Sequence, residues 1–425
     1  MMRWACLFLG VLAATYAADL EQLYEWNFLP FRLPHGFPRD GYVPENNVFT
    51  GLEVGWNRVF VAIPRLRNGV AATLAVLPKV THPAHGPAAP LLDAYPSWAW
   101  HSTASRPNCS TLVSVYRARA DRCDRLWVLD SGLMDSLGTF TRVCPPKLVV
   151  FDLRTDSPVR SVTFPQDVLR PSSLLTNLVI DDEGSRSCDD VFVYMSDSAA
   201  PGLVVYDAGR DSAWRVSQSY MWPHPDRSAF QVAGESFTLM DGVLGLALSP
   251  PQPHPQLHPH PLAGHGQPAS GSRLLYFQPM AETRLFSVPT SALRGGPLRE
   301  LEELPVSVVG HKSSQSAVLH VDQRDGAVWI SPVTEAAVAS WQPATDTASV
   351  VAYSPDLIQF SSELILAPRD DYNVWMLSSR FQKFFRRTYN PHEINMRILR
   401  IRLAPTVGPY FGPGLLNNTL VFDGF

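Results

Sequence analysis

Four cysteines, twelve histidines and a series of aspartates placed just after apolar runs are the residues here with chemistry to offer. Cys109, Cys123, Cys144 and Cys188 could bond in pairs or ligate a metal. Their wide spacing and the lack of any CxxC pair weigh against zinc, and an even number suits two disulfides in an oxidising compartment. His254, His258, His260 and His265 sit in the stretch PHPQLHPHPLAGHG. They could catch a transition metal weakly, but a solvated low-complexity insertion accounts for them, and no metal site is expected. His320 differs, because β-formers flank it in SAVLHVD; its imidazole could serve a ligand or be a satisfied core group. His101, after SWAW, reads as structural. Asp130, Asp152, Asp197, Asp207 and Asp322 end strand-like runs, where aspartate bonds its own turn, so most of them read as turn formers. GxSxG, HExxH, phosphate-loop and dinucleotide patterns are all missing, so no motif encodes a reaction and no cofactor is expected.

The elements that must position these residues repeat. RVFVAIP around Phe60, RLWVLDS around Trp127, DVFVYMSD around Phe192, LLYFQP around Tyr276, AVWISP around Trp329 and NVWMLSS around Trp375 are six versions of one phrase. Their central aromatics are 67, 65, 84, 53 and 46 residues apart. A second strand follows each, at 72–78, 147–153, 202–208, 284–289, 337–343 and 397–403. Further strands fit 110–118, 177–181, 243–249 and 316–322. A small sheet with two apolar faces is unstable alone, but copies packed around an axis bury those faces on each other. The spacing therefore predicts an all-β, six-bladed propeller with a central channel. A β-sandwich pair is the other arrangement alternation allows. LEQLYEWNF and 355–365 are ambiguous between helix and strand.

The chain has 425 residues, 38 of them proline, and a net charge of −4. That charge implies no basic surface for nucleic acid, and the prolines argue against a helical bundle. Arg3, the apolar run WACLFLGVLAA and small residues at 15–17 read as a secretory signal over 1–18, too short to be a membrane anchor. A propeller over 19–405 and a tail over 406–425 follow. The segment 249–270 interrupts the repeat as a surface loop. Asn108 and Asn417 begin N-glycosylation sequons. In an antiparallel meander Cys109 and Cys144 fall at one end of the second blade, while Cys123 and Cys188 precede equivalent strands of neighbouring blades. Of the three pairings the sequence allows, this favours Cys109–Cys144 and Cys123–Cys188.

The phrases SVYRARADRCDRLWVLDSG, CPPKLVVFDL, CDDVFVYMSDS, GESFTLMDGVLGLALSP, LLYFQPMAETRLFSVPTSALR and NMRILRIRL resemble the Yellow / major royal jelly protein family of arthropods, from about Leu20 to Leu403. The resemblance implies a secreted six-bladed propeller acting in melanin pigmentation or in cuticle or eggshell maturation. It implies a channel site for an aromatic amine or a catechol- or indole-type molecule. Ser314, Gln315, Ser316, His320 and Ser331 are the ligand candidates. Dopachrome conversion, credited to some members, would need a base and a cation for the carboxylate; Glu235 or Asp241 with Arg369 are residues of those types. A storage or interaction protein of the royal-jelly kind, or one associated with matrix or cuticle, is the alternative.

Overall fold

The computed structural model describes residues 19–38, 41–80, 86–101, 107–182, 184–185, 187–251 and 273–403. The expected signal segment, most of the proline- and histidine-rich stretch, the tail and Asn417 lie outside the described residues. Six four-stranded antiparallel sheets form the molecule. In chain order the innermost strands are Gly51–Val54, Val115–Ala120, Leu175–Asp181, Val243–Leu248, Leu319–Val321 and Phe360–Ala367, which define blades 1 to 6. Each innermost strand touches the next, and that of blade 6 touches that of blade 1, so the ring closes. The six-bladed propeller expected from the repeat is the fold observed.

Period-2 side-chain alternation explains the closure. In blade 2, Leu126 and Val128 point into the gap with blade 1, and Trp127 and Leu129 into the gap with blade 3. Every gap holds one such apolar cluster. The repeat aromatics lie on the second strands, and Trp127 and Trp375 are fully buried. Their indole N–H groups donate to Asp121 (2.9 Å) and Asp370 (2.6 Å), so burial leaves no orphaned donor.

The two ambiguous stretches are strands. Leu20–Trp26 is the outermost strand of blade 6, antiparallel to Met396–Ile401, and Phe360–Ala367 is its innermost. Four outermost strands (Ser157–Thr163, Ser212–Val216, Ser307–His311 and Thr347–Tyr353) were not legible, because largely exposed residues carry no apolar alternation. All five post-strand aspartates accept backbone N–H groups of nearby turns. Asp130, fully buried, also holds the Lys147 ammonium at 2.8 Å. Cys109 bonds Cys144 within blade 2, and Cys123 bonds Cys188 across blades 2 and 3.

Trp375→Ala should lower stability by about 3–5 kcal/mol, read as a shift of the denaturant midpoint at unchanged slope. A shift below about 1 kcal/mol would contradict the packing role of the repeat aromatic. Replacing Cys123 and Cys188 together by serine should cost about 2–4 kcal/mol by freeing the chain segment they enclose. An unchanged midpoint would show that the bond restrains nothing in the unfolded chain.

Candidate functional site

The innermost strands all begin at one face of the ring, here the upper, and end at the lower. At the upper face a hairpin, Ala229–Val232 paired with Glu235–Thr238, spans the axis. Phe230 stacks on Phe237 at 5.1 Å, and Phe237 meets Phe381 and Phe385 of the short helix Phe381–Arg386 at 6.0 and 5.0 Å. Val48, Tyr116, Leu174, Met280, Ala317 and Phe360, one from each blade, complete this apolar plug. The bore is thus stoppered at its upper end.

Polar groups of blade 5 hold the hairpin down. Gln315 donates to the carbonyls of Arg227 (2.7 Å) and Ala229 (2.9 Å), and Thr334 to that of Gln231 (3.0 Å). The other serine candidates are engaged too. Ser314 donates to Glu335, Ser316 to the Val318 carbonyl (2.8 Å), and Ser331 to the Ala337 carbonyl (2.8 Å). Four of the five expected ligand residues therefore have internal hydrogen-bond partners, and Gln315 serves as the anchor of the hairpin.

Beneath the plug, Arg117 of blade 2 donates to the Thr50 carbonyl at 2.7 Å and forms an ion pair with Glu363 of blade 6. Arg119 reaches the same carboxylate at 3.1 Å. Arg117 and Glu363 are almost fully buried, so this bridge ties three blades together within the ring. One level lower, register places a residue of each innermost strand opposite a repeat aromatic. Glu53 faces Phe60, Arg119 faces Trp127, His320 faces Trp329, Ile365 faces Trp375, Ala247 faces Tyr276 and Asp181 faces Phe192. Glu53, Arg119 and His320 thus occupy one tier of the bore.

Burial, reinforced by the positive field of Arg119, lowers the His320 imidazole to about 3, so it is neutral. Its ring makes no hydrogen bond among the described residues, and it keeps partial solvent exposure. Burial pushes the Glu53 carboxyl up, against the pull of Arg119 and Arg369. The tier therefore offers a guanidinium and a neutral imidazole that can donate or accept, which suits phenol and quinone oxygens. His101, by contrast, is satisfied: it accepts from the Thr73 amide at 3.2 Å and donates to the Tyr95 carbonyl at 3.0 Å.

The three residues considered for base and cation are not brought together. Glu235 pairs with Arg386 at the upper surface, at 3.1 Å. Arg369 pairs with Asp124 at 2.8 Å in a turn of the lower face. Asp241 precedes the innermost strand of blade 4 at the upper face, so a full strand length separates it from Arg369. Its carboxyl has no hydrogen bond or ion pair among the described residues, and burial pushes it up to about 7. Among the described residues no group of three His, Cys, Asp or Glu could hold a metal. Asn108 is exposed, and its side-chain oxygen accepts from the Ser110 amide at 3.0 Å. Sequence reasoning missed Glu53, Arg117, Arg119 and Glu363. Their signal was a charge inside an otherwise apolar strand: GLEV, VYRARA and FSSELILA.

Residues 113–407 match the family model described as Major royal jelly protein. Dopaminechrome tautomerase of Drosophila melanogaster is 31% identical over 404 residues, covering 90% of this chain and 82% of that protein. Protein yellow of Drosophila yakuba is 30% identical over 423 residues, covering 95% and 73%. Protein yellow of Drosophila erecta is 30% identical over 408 residues, covering 92% and 70%.

Because its folded value is near 3 and an unfolded histidine titrates near 6.5, His320 binds more protons unfolded than folded between those values. The stability it contributes is complete above about 6.5 and is lost as pH falls toward 3. His320→Gln should therefore shrink the drop in melting temperature between pH 7.5 and pH 4.5, wild type being the steeper. Parallel curves would mean that the imidazole is solvated and charges freely in the folded protein.

Proposed function

The chain belongs to the major royal jelly protein family, and from that premise we propose that it is a secreted protein of pigment chemistry holding a catechol- or indole-type molecule in its bore. The tier of Arg119 and His320 is the binding level. What carries the reading is the unpartnered, neutral imidazole of His320 on the same tier as the Arg119 guanidinium. Buried polar groups ordinarily find partners, and an imidazole without one in a bore is poised to accept one from a ligand. The plug leaves the lower face as the route in. Two disulfides suit an oxidising, extracellular setting, and no described helix is long and apolar enough to cross a membrane.

Similarity to a dopaminechrome tautomerase supports a second reading, in which the bound molecule is an aminochrome. Tautomerisation removes a proton from a saturated ring carbon, moves the electron pair toward a quinone oxygen and protonates that oxygen, with no net redox change. Arg119 could polarise the oxygen and His320 accept the proton. An imidazole held at about 3 is a weak base, however, and general-base catalysis works best near the operating pH. The geometry therefore favours binding, with slow conversion at most.

Calorimetric titration with 4-methylcatechol and 5-hydroxyindole, which lack an ammonium group, tests the site. His320→Ala should weaken binding about tenfold, the order expected for loss of one hydrogen bond between ligand and protein. Arg119→Leu, checked for folding by its melting curve, should weaken it at least as much. Undiminished affinity in both variants would remove the bore as the site. Absence of heat with wild type would favour a storage or interaction protein. Aminochrome decay followed in the same samples separates a binder, which leaves the buffer rate unchanged, from a tautomerase.

A further inference from the structure

Asp241 is the residue whose chemistry the bore does not use. It lies between the hairpin, which ends at Thr238, and the innermost strand of blade 4, which begins at Val243. Three segments run side by side there. The Ala281 amide donates to the Asp241 carbonyl (3.1 Å), the Met280 amide to that of Gly242 (2.8 Å), and the His224 amide to that of Ala281 (2.8 Å). A side chain at Gly242 would meet the Met221 carbonyl at 2.9 Å, which places Trp222 next in line. Trp222 and Met240 are 57% and 46% exposed, unusual for such large apolar groups on a surface.

The charged groups of the surrounding elements are already committed or distant in effect. Glu282 is held by Arg284, Glu235 by Arg386, and Lys312 donates to Gln278. His224 lies 4.0 Å from Asp226. The Tyr116 phenol, donor or acceptor to Ser136, is the group that feels the Asp241 charge. No Lys or Arg among the described residues pairs with Asp241. A desolvated carboxylate without a counter-charge is unfavourable, and a cation brought by a ligand relieves it.

We propose that Asp241, flanked by Trp222 and Met240, forms a second small-molecule site on the upper face that takes the ammonium group of an aryl-alkyl amine. The carboxylate supplies the counter-charge, and the indole and thioether supply the cation–π and apolar contacts. A ligand bearing its own carboxylate is disfavoured, because no cation stands nearby to receive it. The site is independent of the bore, whose tier lies beyond the plug.

The proposal has a proton signature. With Asp241 near 7 and the ammonium fully charged, binding at pH 7 releases about half a proton. Affinity should rise about tenfold from pH 6 to pH 8, following the ionised fraction of the carboxyl. The bore has no such signature, since His320 stays neutral throughout that range. Tyramine is the probe, titrated in phosphate and in Tris, whose different ionisation heats report the proton count. We expect proton release with tyramine and much weaker binding of tyrosine and p-cresol. Asp241→Asn, a neutral near-isostere, should abolish both tyramine binding and proton release. Trp222→Ala should weaken binding about two- to fivefold, and His320→Ala should leave it unchanged. Tyramine binding that releases no proton, that survives Asp241→Asn or that depends on His320 would overturn the site, as would no binding at millimolar tyramine.

Discussion

Apolar burial between neighbouring sheets is the constraint on which everything else in this molecule rests. Each blade presents two hydrophobic faces, and a strand's alternation sends successive residues to opposite ones. Neither face can be left in water. At roughly 25 cal/mol per Å², an exposed face of several large side chains would outweigh the few kcal/mol that a small sheet gains from its own ladder. A ring is the arrangement in which every face has a partner, and Leu126 with Val128 on one side and Trp127 with Leu129 on the other show one strand serving two gaps.

The ring then decides where polar chemistry can exist. The gaps are filled with hydrocarbon, so charge is tolerated mainly at the outer edges, at the two faces and along the axis. Arg117, Arg119, Glu53 and Glu363 come from three blades and meet because their strands converge. Once converged they are desolvated, and each then matters to the others: the arginines are lowered by burial while Glu363 binds both. The same logic isolates His320 and Asp241, one within the bore and one at its upper rim, as groups held away from water without a protein partner. The hairpin separates these two environments, and its attachment through Gln315 gives a buried amide a mechanical role.

How much of this could be read from the sequence depended on whether a feature was local. The aromatic phrase was legible because β-formers and turn residues recur around Phe60, Trp127 and Trp375 irrespective of their partners. The cysteine pairing followed from strand order alone. The axial charges were not legible, because Arg119 in VYRARA looks like any half-exposed residue until five other strands surround it. Gln315 and its neighbouring serines were recognised as polar groups near the axis, but the hairpin that engages Gln315 lies about 80 residues earlier in the chain. Exposed outer strands gave no signal, since nothing packs on one side of them.

The closing strand carries a consequence for biogenesis. Leu20 pairs with Ile401, so the final blade joins the two ends of the described chain. At ribosomal speeds of about 5–20 residues per second, Leu20–Trp26 waits roughly 20–75 s for its mate to be synthesised. Throughout that interval the nascent ring has an unlatched seam with two bare hydrophobic flanks, a natural substrate for chaperones. Maturation of this molecule is thus timed by the emergence of its last strand, however early the first five blades assemble.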